Sequence, residues 1–352
     1  MRGWRLGCGV VLLALAGGAI WRWEARSSDA DSAEALPDVP PRAGPEDRVT
    51  PLRSVRFDGT CDASGAVPID ADHFALADDE DNVIRVYDAQ HGGKPVWHTN
   101  LSKQLALDHK GAESDIEAAA VLGQNAYWLS SHGRNARGEK DPNRTLLITT
   151  DLPTLDAKLE VRGQVYRRLL QDLEQAPSLL PYHLEAAAEL APKEPGGLNL
   201  EGLTATPEGN LLIGFRNPVP HGSALLVALV NPDALATNGP LRFGAAIELG
   251  LGGLGVRALG YWHGRYLIAA GPSGKAGPAR LYRWPGVGHP PELLAEALLH
   301  DLNPEAFFGA EHNTELLVLS DDGGRIVRGK PCKRLEHKRH KSFRGLWLRL
   351  PP

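Results

Sequence analysis

An all-β ring is the fold this sequence predicts: a β-propeller of five or six blades with one helical insertion, preceded by an N-terminal signal or anchor. Three observations predict it. The first is a repeat: "DASGA" at Asp62, "DIEAA" at Asp115, "NLEGL" at Asn199, "GVRAL" at Gly255 and "NPEAF" at Asn303. Their third residues, Ser64, Glu117, Glu201, Arg257 and Glu305, fall 53, 84, 56 and 48 residues apart. A period near 50 residues is the length of a propeller blade. The second is the stretch after each copy, a turn and then a short apolar run: "HFALA", "AYWLS", "NLLIGF", "RYLIAA", "ELLVLS". In most copies a further strand-like run comes next, such as "NVIRVYDA" or "ALLVALV". Short strands at even spacing argue all-β. The third is composition, one Met against 39 Gly and 27 Pro, which favours turns over long helices.

The elements come in chain order. Residues 1–23 read as a signal peptide or membrane anchor: "MRGWR" is a basic start, and Leu6 to Trp21 is uncharged and apolar. "ALAGGA" offers a cleavage site, whereas "IWRW" suits a retained interfacial anchor, so both stay open. Cys8 precedes the apolar run, where a lipoprotein cysteine would come after it. Residues 24–51 are rich in Pro, Asp, Ala and Ser without apolar period and read as a disordered linker. The β-propeller domain, 52–352, is then expected outside the cytoplasm, periplasmic or secreted, or held at the inner membrane by its N-terminus. There the two remaining cysteines, Cys61 near its start and Cys332 near its end, are expected to bond and clasp the ring.

Within the domain, "ADDEDN" (Ala77–Asn82) sets four carboxylates side by side, which demands either water or a cation. The 84-residue spacing leaves room for an insertion at 155–198, where "VYRRLLQDLEQA" has a helical apolar period. The late "FRGLWLRL" either completes the last blade or pairs with "PLRSVRF" to close the ring, which removes exposed sheet edges. "CKRLEHKRHKSFR" reads as a solvated basic hairpin.

In a propeller the start of each innermost strand and the loop after the second strand meet on one face. Two sets of polar residues therefore converge at the channel mouth. A metal set comprises Asp62, Asp78, Asp79, Glu80 and Asp115, hard oxygen ligands of the kind Ca²⁺ takes. A ligand-binding set comprises Glu117, His132, Arg134, Glu201, Arg216, Asn217 and Arg257, where guanidinium forks meet an anionic small molecule. The same Glu and Arg residues equally suit internal pairs that hold blades together.

"CDASGAVPIDADHFALADDEDNVIRVYD", "ESDIEAAAVLGQNAYWLSSHGRN" and "KEPGGLNLEGLTATPEGNLLIGFRNP" resemble the bacterial family called domain of unknown function 3616, over most of Val55 to Trp284. That likeness implies no activity. More distantly, the "EGL" and "DIE" strand starts resemble secreted phytase-like esterase propellers. "DIEAA" departs from that pattern by replacing Gly, so phosphoester chemistry is allowed rather than indicated.

Other motifs carry little. "GLGGLG" (Gly250–Gly255) leads into a strand-like stretch, leaving no helix N-terminus for a phosphate. "GPSGKAG" lacks P-loop spacing, and no G-x-S-x-G or H-E-x-x-H occurs. Net charge is −5 with scattered Lys and Arg, so nucleic acid is not an expected partner. The expectation is a monomeric propeller that binds a small anionic ligand at its channel mouth. The alternative is a Ca²⁺-dependent phosphoesterase on the same face. A tight group of three carboxylates favours the second; carboxylates capped by Arg or backbone donors favour the first.

Overall fold

The computed structural model describes residues 49–351, apart from 110, 136, 157, 275–276 and 310–313. The signal or anchor at 1–23 and nearly all of the linker at 24–51 lie outside the described residues. Among the described residues no helix is long and apolar enough to cross a membrane.

The chain builds five blades. After β1 (Thr50–Asp58), the first blade is β2 (Ala63–Pro68), β3 (His73–Asp78), β4 (Val83–Asp88) and β5 (Trp97–Asn100). The second is β6 (Ile116–Leu122), β7 (Asn125–Ser130) and β8 (Leu147–Asp151). The third runs β9 (Asn199–Ala205), β10 (Leu211–Asn217), β11 (Ala224–Leu229) and β12 (Phe243–Leu249). The fourth runs β13 (Gly255–Trp262), β14 (Arg265–Gly271), β15 (Arg280–Trp284) and β16 (Glu292–Ala295). The fifth holds β17 (Pro304–Gly309) and β18 (Glu315–Ser320). After a short hairpin of β19 (Ile326–Val327) and β20 (Lys330–Pro331), it adds β21 (Ser342–Arg349) and finally β1. Blade number is therefore five, and β21 pairs on both sides, completing its blade and binding β1.

Blades pack face to face, so the middle strands are covered on both sides and read as continuous apolar runs rather than alternating ones. All seven residues of β10, "LLIGFRN", are buried, whereas β12 at the rim, "FGAAIEL", buries only its last. The innermost strands β2, β6, β9, β13 and β17 contact their neighbours in sequence order, and β17 returns to β2.

The seam is the aromatic joint between blades five and one. Phe57 stacks on Phe343 with centroids 4.9 Å apart, and Phe74, Tyr87 and Phe308 pack around them. Trp347 Nε1 donates to Ala89 O across the joint at 3.1 Å. Cys61 and Cys332, 271 residues apart in sequence, are bonded with Cα atoms 5.9 Å apart.

The segment 155–198 differs from a purely helical insertion. Val161 and Tyr166 form bridges to Thr150 and Leu147 of β8, a ragged fourth strand for blade two. Helical turns occur only later, at Leu169–Gln175 and Leu184–Ala188. Leu169, Leu173 and Leu184 face a core shared with Tyr127, Leu198 and Leu229. Pairing with β8 takes the segment as far as Tyr166, inside the run with the helical period, and the helix starts only at Leu169.

Candidate functional site

Five β-bulges set the channel mouth. In every blade the first residue of the innermost strand pairs with the last residue of the second strand: Ala63 with Asp78, Ile116 with Ser130, Asn199 with Asn217, Gly255 with Gly271, Pro304 with Ser320. One or two residues later the ladder slips. The slip skips Glu117, Glu201, Arg257 and Glu305, and in blade one the Ser64–Gly65 pair. A bulge leaves its extra residue unpaired and re-aims its side chain. The third position of the repeated motif is thus the bulged residue, and the bulges bring Glu117, Glu201, Arg257 and Glu305 towards one axis.

The loop after β3 and the segment before β6 add acids to this ring. Asp62, Asp79 and Glu80 offer carboxylate oxygens all within 4.8 Å of one another, and so do Asp79, Asp115 and Glu117. The two groups share Asp79. Asp79 Oδ1 is buried without a hydrogen-bond partner. Glu117 is 8% exposed and has neither a hydrogen-bond nor an ion-pair partner among the described residues. Burial pushes its carboxyl well above the ordinary range, and Asp115 and Glu201 add to that repulsively. Asp79 is raised likewise by burial and then by Glu117 and Asp321. Asp62 is pushed up to about 7 by burial, with Asp321 and Glu80 reinforcing it.

The cations nearby are mostly committed. Arg216 Nη1 lies 2.5 Å from Glu201 Oε1, and its other nitrogens donate to Pro272 O and Gly274 O at 3.2 Å. Glu201 Oε2 stays buried and unpartnered. Arg257 is buried and pairs with Glu305. Arg144 Nη2 stands 2.5 Å from Asp115 Oδ2. Arg257–Glu305 joins blades four and five, and Arg216 reaches from Glu201 in its own blade to two carbonyls of blade four, whereas Arg144–Asp115 lies within blade two. Among the described residues Asp79, Glu117 and Asp62 have no ion pair with an arginine.

"ADDEDN" divides its labour. Asp78 turns inward, accepting from Thr60 Oγ1 and from Glu80 N at 2.8 Å, with Arg85 3.6 Å away. It belongs to neither carboxylate group; the acids that converge are Asp62, Asp79, Glu80, Asp115 and Glu117. Asp81 receives Arg85 Nη2 at 2.5 Å and Lys338 at 3.2 Å. Asn82 donates to Ala112 O and accepts from Ser114 N, both at 2.8 Å. Only Asp79 and Glu80 reach the mouth.

Three of the residues expected to bind a ligand at the mouth are engaged elsewhere. Arg134 donates to Ala188 O and Gly138 O at 2.9 Å and meets Glu189, so it fastens the helical insertion. Asn217 Nδ2 donates to Pro192 O and Glu194 O at 3.0 and 2.6 Å, doing the same. His132 sits in left-handed backbone (φ 58°) and lines a cleft of about 410 Å³ between its own loop and the insertion. Its Nδ1 is 2.8 Å from Ser130 O, and burial lowers its pKa to about 4.

The basic run near the C-terminus holds what sequence reasoning missed. Most of the run is exposed, as expected, but it forms two short helical turns at Cys332–Arg334 and Lys338–His340 rather than a hairpin. Lys333 pairs with Glu80, Lys338 with Asp81, and Arg344 grips Asp322 through two nitrogens at 2.8 Å. The available signal was position: Lys333 directly succeeds Cys332, as Asp62 succeeds Cys61.

Glu201 and Glu305 also line a cavity of about 360 Å³ between the innermost strands. Its wall is made of small residues such as Ala66, Ala119 and Ala258, with Trp262 and Phe307 at the far end.

Residues 153–303 match the family described as "Protein of unknown function (DUF3616)"; the matched stretch includes the third of the quoted motifs and begins after the first two. No curated protein matches the chain. Among solved structures, the chain is similar to the PQQ-bound aldose sugar dehydrogenase of Streptomyces coelicolor. The identity is 14%, the TM-score 0.45, and the match covers 86% of this chain and 97% of that one. It is also similar to the glutaminyl cyclase of Myxococcus xanthus, at 13% identity and TM-score 0.47, covering 85% and 97%.

Proposed function

We propose that this β-propeller binds a divalent cation, Ca²⁺, at its channel mouth, and that a small anionic ligand is recruited through the ion rather than by free arginine forks. Asp79, Asp115 and Glu117 hold the ion in this reading, with Asp62 and Glu80 beside it. The observation that carries it is Glu117, nine-tenths buried and unpartnered among the described residues, with Asp79 and Asp115 oxygens within 4.8 Å. Ligands on opposite sides of Ca²⁺ stand about 5 Å apart, so the spacing suits one coordination shell. A buried carboxylate with no counter-charge costs several kcal/mol unless it protonates or gains a cation. The commitment of Arg216 and Arg257 to Glu201 and Glu305 counts against direct capture of an anion. The export-like N-terminus and the Cys61–Cys332 bond support a site outside the cytoplasm, where calcium is abundant.

Calorimetric titration of chelator-treated protein with Ca²⁺ tests this. One ion per chain is expected, with Glu117→Gln weakening binding at least tenfold. Absence of heat in the parent at millimolar calcium contradicts it. A second reading, phosphoester hydrolysis at the same ion, rests on the sharing of Asp79 by two carboxylate groups, which leaves positions for a phosphate oxygen and water. Calcium-dependent release of phosphate from a phosphomonoester panel, lost in Glu117→Gln, is its expected signature.

A further inference from the structure

We propose that Lys333 is a tethered counter-cation of the channel mouth, fixed there by the Cys61–Cys332 bond, and that it sets the mouth's divalent-ion affinity by competing for Glu80. The inference rests on the cation reading of the mouth. Lys333 Nζ bonds Glu80, a member of the Asp62–Asp79–Glu80 group. Burial opposes its charge, but the bond to Glu80 and the charges of Asp79 and Asp62 outweigh it and hold the ammonium firmly protonated.

The backbone around it leaves little freedom of placement. Cys61 and Cys332 are bonded, and the residues that follow them are Asp62, of the same carboxylate group as Glu80, and Lys333. Lys333 N donates to Gly323 O at 3.1 Å, Cys332 N to Arg325 O at 2.8 Å, and Asp322 N to Cys61 O at 2.9 Å. Gly323 lies so close to Asp62 that a Cβ there would collide with Asp62 Oδ1. Several segments thus meet at one point, and their meeting delivers an ammonium to one edge of an acidic cluster. The cluster's other edge, Glu117, receives none among the described residues.

An ammonium a few ångströms from a bound divalent ion repels it and withholds one carboxylate from it. Lys338 is the natural control: it pairs with Asp81, which belongs to neither carboxylate group, and is more exposed. Ca²⁺ titration of chelator-treated, oxidised protein compares the parent with Lys333→Met, Lys333→Gln and Lys338→Met. Both Lys333 variants are expected to bind at least fivefold more tightly, and Lys338→Met within twofold of the parent. Two uncharged replacements guard against one that folds poorly. Calcium binding to the parent with equal or weaker binding by the folded Lys333 variants overturns the proposal while leaving the cation site standing. No binding by any of the four proteins removes the cation site, and this proposal with it.

Discussion

Asp62 and His132 are buried titratable residues, and their protons act with opposite sign. Asp62 has a folded pKa of about 7 against the ordinary 3.8, so between those values the folded state binds the extra proton. Its contribution is full at low pH and is lost as pH rises towards 7. In calcium-free buffer, Asp62→Asn is therefore expected to be close to neutral near pH 4 and stabilising at pH 8, by up to a few kcal/mol. Denaturant midpoints at the two pH values check this, and a variant destabilised equally at both contradicts it. His132 is the reverse case. Burial lowers it to about 4, so protons on the unfolded chain destabilise the fold as pH falls from 6.5 to 4. Up to about 3 kcal/mol of acid sensitivity over that window should vanish in His132→Asn, a residue that tolerates the left-handed backbone at this position. An unchanged pH profile would place the acid sensitivity elsewhere.

At the scale of elements, the repeated motif was legible but its meaning was not. The spacing of Ser64, Glu117, Glu201, Arg257 and Glu305 revealed a period, because each copy leads an apolar strand. That the third position is a bulge depends on pairing register, which no local pattern states. The insertion was visible as a helical period, yet its first residues pair with β8, a tertiary choice that overrides propensity. Arg134 and Asn217 looked like rim residues because they end strand-adjacent runs. They turn away because carbonyls of the insertion at Ala188, Pro192 and Glu194 need donors. Lys333 was hidden in a charge run, and its partner Glu80 lies 253 residues away.

The same scale carries two stability predictions. The Cys61–Cys332 bond closes most of the domain into one loop, so its reduction should cost about 2–4 kcal/mol. Melting with and without reductant checks it, and coincident midpoints would show that the bond constrains nothing. Phe343→Ala, which empties the centre of the aromatic seam, should cost about 3–5 kcal/mol. A loss below about 1 kcal/mol would mean that β21 does not hold the ring shut.

For the whole molecule, ring closure explains why so many acids face one another. Five innermost strands surround one axis, and whatever residue type the bulges carry is concentrated there. Glu201–Arg216 within blade three and Glu305–Arg257 between blades four and five consume both arginines. What remains at the mouth, among the described residues, is a carboxylate excess with Lys333 on one edge. A ligand that binds only the folded state stabilises it by mass action, about 2.7 kcal/mol at a hundredfold excess over Kd.

The most direct test of the central claim is the thermal midpoint of oxidised parent and Glu117→Gln, each with millimolar Ca²⁺ and with chelator. The account predicts a calcium-dependent rise of several degrees in the parent and none in Glu117→Gln, whose chelated form melts at or above the chelated parent. Coincident curves for the parent in calcium and chelator would contradict it.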